Sequence, residues 1–195
     1  MSDDLLLTIY QRSGTVFTVD EISQFFPGVT YKQLKDRLYY FTKIGKLRRL
    51  KTGIYAKLQY NPMELANKLY KPSYISLETV LLKGGVVFQY YETIFLVSYL
   101  TRSVQIGDLN IQYRRIRGDI LTNPMGIEAK EGYYIATLER AFLDAVYIYK
   151  NYFFDNLGAL DWKKVEELKK VYNNKAFEVR VEEYYKWYKE DYGKP

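Results

Sequence analysis

An α+β fold in two parts is what this sequence predicts, and three observations carry the prediction. Within residues 30–58, Leu34, Leu38 and Phe41 recur at helical spacing, and two short runs, residues 47–51 and 54–58, follow with Thr52-Gly53 between them. The same stretch holds nine cations (Lys32, Lys35, Arg37, Lys43, Lys46, Arg48, Arg49, Lys51 and Lys57) and one anion, Asp36, so it carries +8 in a chain of formal charge +6. After a break at Lys71-Pro72-Ser73 the charge evens out, and β-branched and aromatic runs begin to mix with helical ones. Three helices and then a basic hairpin is the order of a winged helix-turn-helix. A mixed α/β domain with C-terminal helices is expected behind it. The predicted organisation is a DNA-binding domain over residues 1–60, a helical linker over 61–72 and a C-terminal α+β domain over 73–195.

The first helix is expected to run to about residue 12, capped by Ser2 or Asp3, with Leu5, Leu6 and Ile9 on one side. Ser13-Gly14 ends it, and Val16-Phe17 reads as an apolar connector. Thr18 caps a second helix over residues 19–26, and Glu21 stands three positions later as a capping box requires. Ile22, Phe25 and Phe26 make its stripe, and Pro27-Gly28 stops it. Thr30 caps the third helix, residues 31–43, and Gly45 stops that one.

At 100° per residue Lys32, Asp36, Tyr39 and Lys43 lie opposite the apolar stripe of the third helix, with Gln33, Lys35 and Tyr40 on the flanks. Base edges are reached mainly from the N-terminal part of such a helix, so Lys32, Gln33 and Asp36 are the candidates for reading bases. Lys35, Arg37, Tyr40 and Lys43, with Lys46, Arg48, Arg49 and Lys51 around the hairpin, are the candidates for holding phosphates. A lysine-rich helix face alone reads equally as a solvated face. The cations packed directly after it are what points to double-stranded DNA.

In the second part, Asn61-Pro62 opens a helix to about residue 70, with proline at its first position. Ser76 is expected to cap a helix ending at Gly84-Gly85, where Glu78 suits the helix dipole. Residues 93–101 and 109–116 read as strands that pair as a hairpin. Arg114, Arg115 and Arg117 form a second basic cluster, either a contact surface or an edge strand charged against aggregation. Short strands are expected over 126–130 and 132–136, then a helix over 138–150 capped by Thr137, one over 162–172 capped by Asp161, and one over 175–191. Tyr184, Tyr185, Trp187, Tyr188 and Tyr192 give the last helix an aromatic face that reads as a packing surface.

Several function classes fall away on composition. With no cysteine and no histidine, the chain has no disulfides, zinc fingers, thiol nucleophiles, Ser-His-Asp triads or His-ligated metals. No cofactor and no metal are expected. An enzyme would have to use carboxylates such as Glu78, Glu139 and Asp144 on a metal, and no GxxxxGKS loop is present, so a non-enzymatic protein is expected. The N-terminus has two acids where a secretory leader needs cations, and no apolar run approaches the roughly 18–20 residues of a membrane span, so the expected location is cytoplasmic.

Two segments resemble a known family. Pro72-Ser73-Tyr74-Ile75-Ser76-Leu77-Glu78-Thr79 and Tyr134-Ile135-Ala136-Thr137-Leu138-Glu139-Arg140-Ala141-Phe142-Leu143-Asp144 look like the PSYISLESAL and IATPEKALLD motifs of AbiEi-type antitoxins, where they follow an N-terminal winged helix at similar spacing. Leu138 stands where the family has proline. The resemblance implies an antitoxin of a type IV toxin-antitoxin system, a repressor that binds repeats in its own promoter and opposes a nucleotidyltransferase-like toxin through its C-terminal antitoxin domain. The competing expectation is a winged-helix transcriptional regulator without a toxin, whose C-terminal half senses a ligand or dimerises.

Overall fold

The structure, a computed structural model, describes residues 2–193, apart from the side chains of Ser2 and Asp3, so the cap expected from those two lies outside the described residues. The fold is α+β, with nine α-helices among the described residues and two sheets. The chain divides into two units, Met1–Leu69 with Glu131–Tyr133, and Tyr70–Lys130 with Tyr134–Pro195.

The first unit runs α1 (Ser2–Gln11), β1 (Val16–Thr18), α2 (Val19–Phe25), α3 (Tyr31–Lys43), β2 (Arg48–Lys51), β3 (Ile54–Ala56) and α4 (Pro62–Leu69). Leu5 and Ile9 of α1, Ile22 of α2 and Leu34, Leu38 and Phe41 of α3 meet in one buried cluster, so three amphipathic stripes explain why these helices pack together. Burying each of these side chains contributes about 1.5–3 kcal/mol. Val16-Phe17 proves to be more than a connector. It is a strand paired antiparallel with β3, which also pairs with β2, giving the sheet order β1-β3-β2.

Capping sets the helix starts. Thr18 Oγ1 accepts from Glu21 N at 3.1 Å while Glu21 Oε2 accepts from Thr18 N at 2.9 Å, the reciprocal pair that the spacing predicts. Helix α4 is tied to this unit by charge as well as by packing. Lys68 Nζ donates to Val16 O and, at 2.9 Å, to Glu21 Oε2, and Glu64 Oε2 accepts from Thr15 N at 2.8 Å. These polar ties between α4 and the β1 region come from residues whose sequence spacing shows only a short amphipathic helix.

The second unit contains β4 (Ser73–Ile75), α5 (Glu78–Lys83), β5 (Thr93–Ser98), β6 (Arg102–Ile106), β7 (Leu109–Arg115), α6 (Gly118–Leu121), β8 (Ile127–Lys130), β9 (Tyr133–Ala136), α7 (Leu138–Ile148), α8 (Trp162–Lys169) and α9 (Lys175–Tyr192). Its six-stranded sheet has the order β6-β7-β5-β4-β9-β8. Helix α7 is the spine of the helical layer, with Ala141, Phe142, Leu143, Ala145 and Val146 all fully buried.

Three expectations are corrected here. The strands at 93–101 and 109–116 do not form a hairpin: β5 and β7 pair in parallel, and the hairpin partner of β7 is β6, joined through Gly107-Asp108. Strand β6 reads RSVQI and is mostly exposed, and its alternation is confined to two half-buried apolar residues, Val104 and Ile106, too short a pattern to announce it. Because β6 takes the edge, β7 lies inside the sheet and its arginines are not edge-strand protection. Ser76 caps no helix. Helix α5 starts at Glu78 behind Leu77, which has φ +56° and makes no side-chain cap bond, and the Ser76 hydroxyl is used elsewhere.

Candidate nucleic-acid interface

Helix α3 shows two faces. Leu34 and Leu38 are fully buried and Phe41 nearly so, which turns Lys32, Gln33, Lys35, Asp36, Tyr39, Tyr40 and Lys43 outward, all exposed. Arg37 is half-buried on the flank. After α3 the chain reverses at Gly45, whose φ of +68° favours glycine, and Lys46 begins the approach to the hairpin. Tyr10 donates its hydroxyl to Lys46 O at 2.8 Å and so pins that turn to α1. On β2, Arg48, Arg49 and Lys51 are exposed, while Ile54, Tyr55 and Ala56 of β3 are buried. The hairpin therefore anchors through one strand and presents the cations of the other.

The electrostatics of this surface are one-sided. Among the described residues, none of Lys32, Lys35, Arg37, Lys43, Lys46, Arg48 and Arg49 has a carboxylate within ion-pair distance. Several rest on aromatic rings instead: Lys35 Nζ lies 4.5 Å from the Tyr31 ring centroid, Lys43 Nζ 5.3 Å from that of Tyr39, and the Arg48 guanidinium 5.5 Å from that of Tyr60. A cation over a ring face keeps its charge and is partly oriented, without an anion to neutralise it. Asp36 is exposed on the same face and has no ion pair among the described residues, even with Lys32 one turn away.

Two of the sequence-predicted residues have additional duties. Gln33 is the partner of the Thr30 cap: its Oε1 accepts from Thr30 N at 3.1 Å and Thr30 Oγ1 at 3.0 Å, while Thr30 Oγ1 accepts from Gln33 N at 3.3 Å. The carboxamide oxygen is therefore engaged, and its nitrogen is what it can offer a base. Arg49 Nη2 approaches Thr52 Oγ1 at 3.5 Å across the hairpin. Lys57, counted in the basic stretch, donates to Arg12 O at 2.6 Å and Tyr10 O at 3.3 Å, so it serves the C-terminal end of α1. Tyr31 and Tyr39 were not among the predicted contacts. Their spacing, each four residues before a lysine, was the available signal.

The second basic cluster is dispersed. Arg117 is chelated by Asp119 and donates to Tyr172 O at 3.0 Å, and Arg114 Nη2 donates to Gln112 Oε1 at 3.1 Å. The carboxylates that an enzyme would need are also spoken for separately. Asp144 and Arg140, both fully buried, lie 3.4 Å apart, and Asp144 accepts hydroxyls from Tyr172 at 2.6 Å, Ser76 at 2.8 Å and Tyr74 at 3.2 Å. Arg140 also donates to Met125 O at 2.9 Å and Ile120 O at 2.8 Å. Burial pushes the Asp144 carboxyl up, and Arg140 and the hydroxyls pull against that shift. Glu78 lies apart, accepting from Tyr149 at 3.3 Å, and burial raises its carboxyl too. Glu139 accepts from Asp161 N at 3.4 Å. Among the described residues no group of three metal-ligating side chains converges, and no helix is long and apolar enough to cross a membrane.

No protein-family model matches this chain, and no curated protein does. The segments that resemble the antitoxin motifs nonetheless share one physical role here. Tyr74 and Ser76 from the first, and Arg140 and Asp144 from the second, build the same buried polar network.

Proposed function

We propose that this chain is a DNA-binding transcriptional autoregulator and the antitoxin of a type IV toxin-antitoxin system, which represses its own operon and opposes a nucleotidyltransferase-like toxin. The observation that carries the DNA-binding part is the run of exposed cations Lys32, Lys35, Lys43, Lys46, Arg48 and Arg49 along α3, the following turn and the start of β2, none of which has a carboxylate partner among the described residues. Such cations displace the counterions condensed on duplex DNA when they meet its phosphates. The order α1, β1, α2, α3, β2, β3 supports reading the first unit as a winged helix-turn-helix, with α3 in the major groove and β2–β3 as the wing. In that reading Lys32 meets guanine acceptors, Asp36 accepts from a base amino group, and Arg48 and Arg49 hold the neighbouring backbone.

The antitoxin part is supported by the resemblance of the segments around Ser76 and Arg140 to the antitoxin motifs, with the DNA-binding unit in front of them as in that family. Mobility shifts with the DNA upstream of the protein's own gene test the first part. Tighter binding to that DNA than to unrelated DNA of equal length is expected, and equal binding to both would overturn autoregulation. Co-expression with an adjacent nucleotidyltransferase-like reading frame tests the second. Rescue of growth is expected, and undiminished toxicity in the presence of folded protein would remove the antitoxin role.

A further inference from the structure

Some of the largest exposed apolar side chains belong to the second unit: Phe153 is 80% exposed, Tyr90 74%, Phe88 66% and Trp187 51%. Leaving large aromatic rings in water forfeits the burial that drives both folding and association, and a contiguous patch of them marks a contact surface. The backbone gathers this patch. Asp155 Oδ2 accepts from Phe88 N at 2.8 Å, while Asp155 N and Asn156 N donate to Val86 O at 3.0 and 3.1 Å, so the segments bearing Phe88 and Phe153 run side by side.

Trp187 brings α9 to the same place. Phe153 and Trp187 both line two neighbouring hollows, of about 380 and 260 Å³, and so form the ridge between them. The floor under the ridge is fixed: Tyr184 donates its hydroxyl to Tyr152 O at 2.7 Å, and its ring meets Phe154 edge-on at 5.1 Å. The larger hollow is lined by Lys150, Arg180 and Glu183, and the smaller by Asp155 and Asp191. Across the ridge the surface thus passes from net positive to negative.

We propose that this patch is an isologous interface with a second copy of the same chain, with the two-fold axis running along the Phe153–Trp187 ridge. A two-fold operation about an axis along the ridge exchanges its two sides. It sets the Lys150 and Arg180 side of one copy against the Asp155 and Asp191 side of the other, twice over, and brings the two apolar ridges together at the centre. The apolar ridge supplies the desolvated centre and the charges supply orientation at the rim. An unrelated partner would need only the apolar part; the reversal of charge about the ridge is what a second copy matches. This inference stands without the DNA-binding proposal.

Sedimentation equilibrium of the full chain tests it. The wild type is expected at twice the 23.2 kDa chain mass in the micromolar range, and Phe153→Asp at the mass of one chain with the circular-dichroism spectrum of the wild type, because Phe153 is exposed in the single chain. Lys150→Glu and Asp191→Lys, each alone, are expected to weaken the dimer by about tenfold by placing like charges opposite each other. Mixed in equal amounts they are expected to form a mixed dimer, because each mismatched position then faces its complement. A wild type of single-chain mass, a Phe153→Asp dimer, or a mixture no tighter than the separate variants would overturn the proposal.

Discussion

Arg48 and Arg49 on β2 and Arg140 on α7 carry the same guanidinium group into opposite surroundings. The first two are exposed and face no carboxylate among the described residues, while Arg140 is sealed from solvent between Asp144, Tyr74 and two backbone carbonyls. A buried cation without its anion carries a large desolvation cost, so Arg140 is committed to the fold. An exposed cation costs little to leave unpaired and stays available for an external anion. Charge alone therefore marks no functional site; what distinguishes the two regions is whether the fold has already supplied the counter-charge.

Asp144→Ala leaves Arg140 buried and uncompensated and is expected to cost about 3–5 kcal/mol of stability, read as a fall in denaturant midpoint. Replacing both partners together, Arg140→Met with Asp144→Leu, should destabilise less than the single change. A single variant as stable as the wild type would show that the network is not what holds α7 in place.

At the exposed region the expected effect is on binding rather than on stability. Changing Asp36 to Ala removes the only anion from a cationic face, so non-specific DNA should bind more tightly while the preference for one base at one position falls by about 1–3 kcal/mol. Selection from randomised duplexes measures both. An unaltered sequence preference would reassign Asp36 to the solvated surface.

The smallest effect concerns pH. Burial raises Glu78 above the ordinary value of 4.5, so the folded state holds that proton more firmly than the unfolded state does. Stability from this group is fully present below about pH 4.5 and is lost as pH rises through the raised folded value. Glu78→Gln should flatten that part of the melting profile. A variant profile that still follows the wild type would assign the slope to other carboxyls.

The regular part of this architecture can be read from the sequence because it is local. The Tyr31–Lys43 helix and the Thr18, Thr30, Thr137 and Asp161 caps depend on side chains three or four residues apart, and all are found where the spacing puts them. Pairings across long separations were not legible. Within RSVQI only Val104 and Ile106 alternate with polar residues, too short a signal to outweigh the longer apolar run of β5, yet it is this strand that folds back on β7. Ser76 illustrates the same limit: a hydroxyl before an acidic residue reads as a cap, whereas its partner, Asp144, lies 68 positions away. For the candidate interface, the cations were visible from composition. The Gln33 oxygen being engaged in a cap and Lys57 being engaged on α1 depend on the folded backbone.

Whether Lys32, Arg48 and Arg49 are open to phosphate is read from the salt dependence of binding to the protein's own upstream DNA. Each lost phosphate contact lowers the slope of log affinity against log salt by about 0.9 on duplex DNA, so a Lys32→Ala, Arg48→Ala, Arg49→Ala triple variant is expected to lose about 2.7 from it. Its melting temperature should stay close to that of the wild type, because none of the three side chains is buried or ion-paired among the described residues. A triple variant with the wild-type affinity and slope would show that these three side chains hold no phosphate.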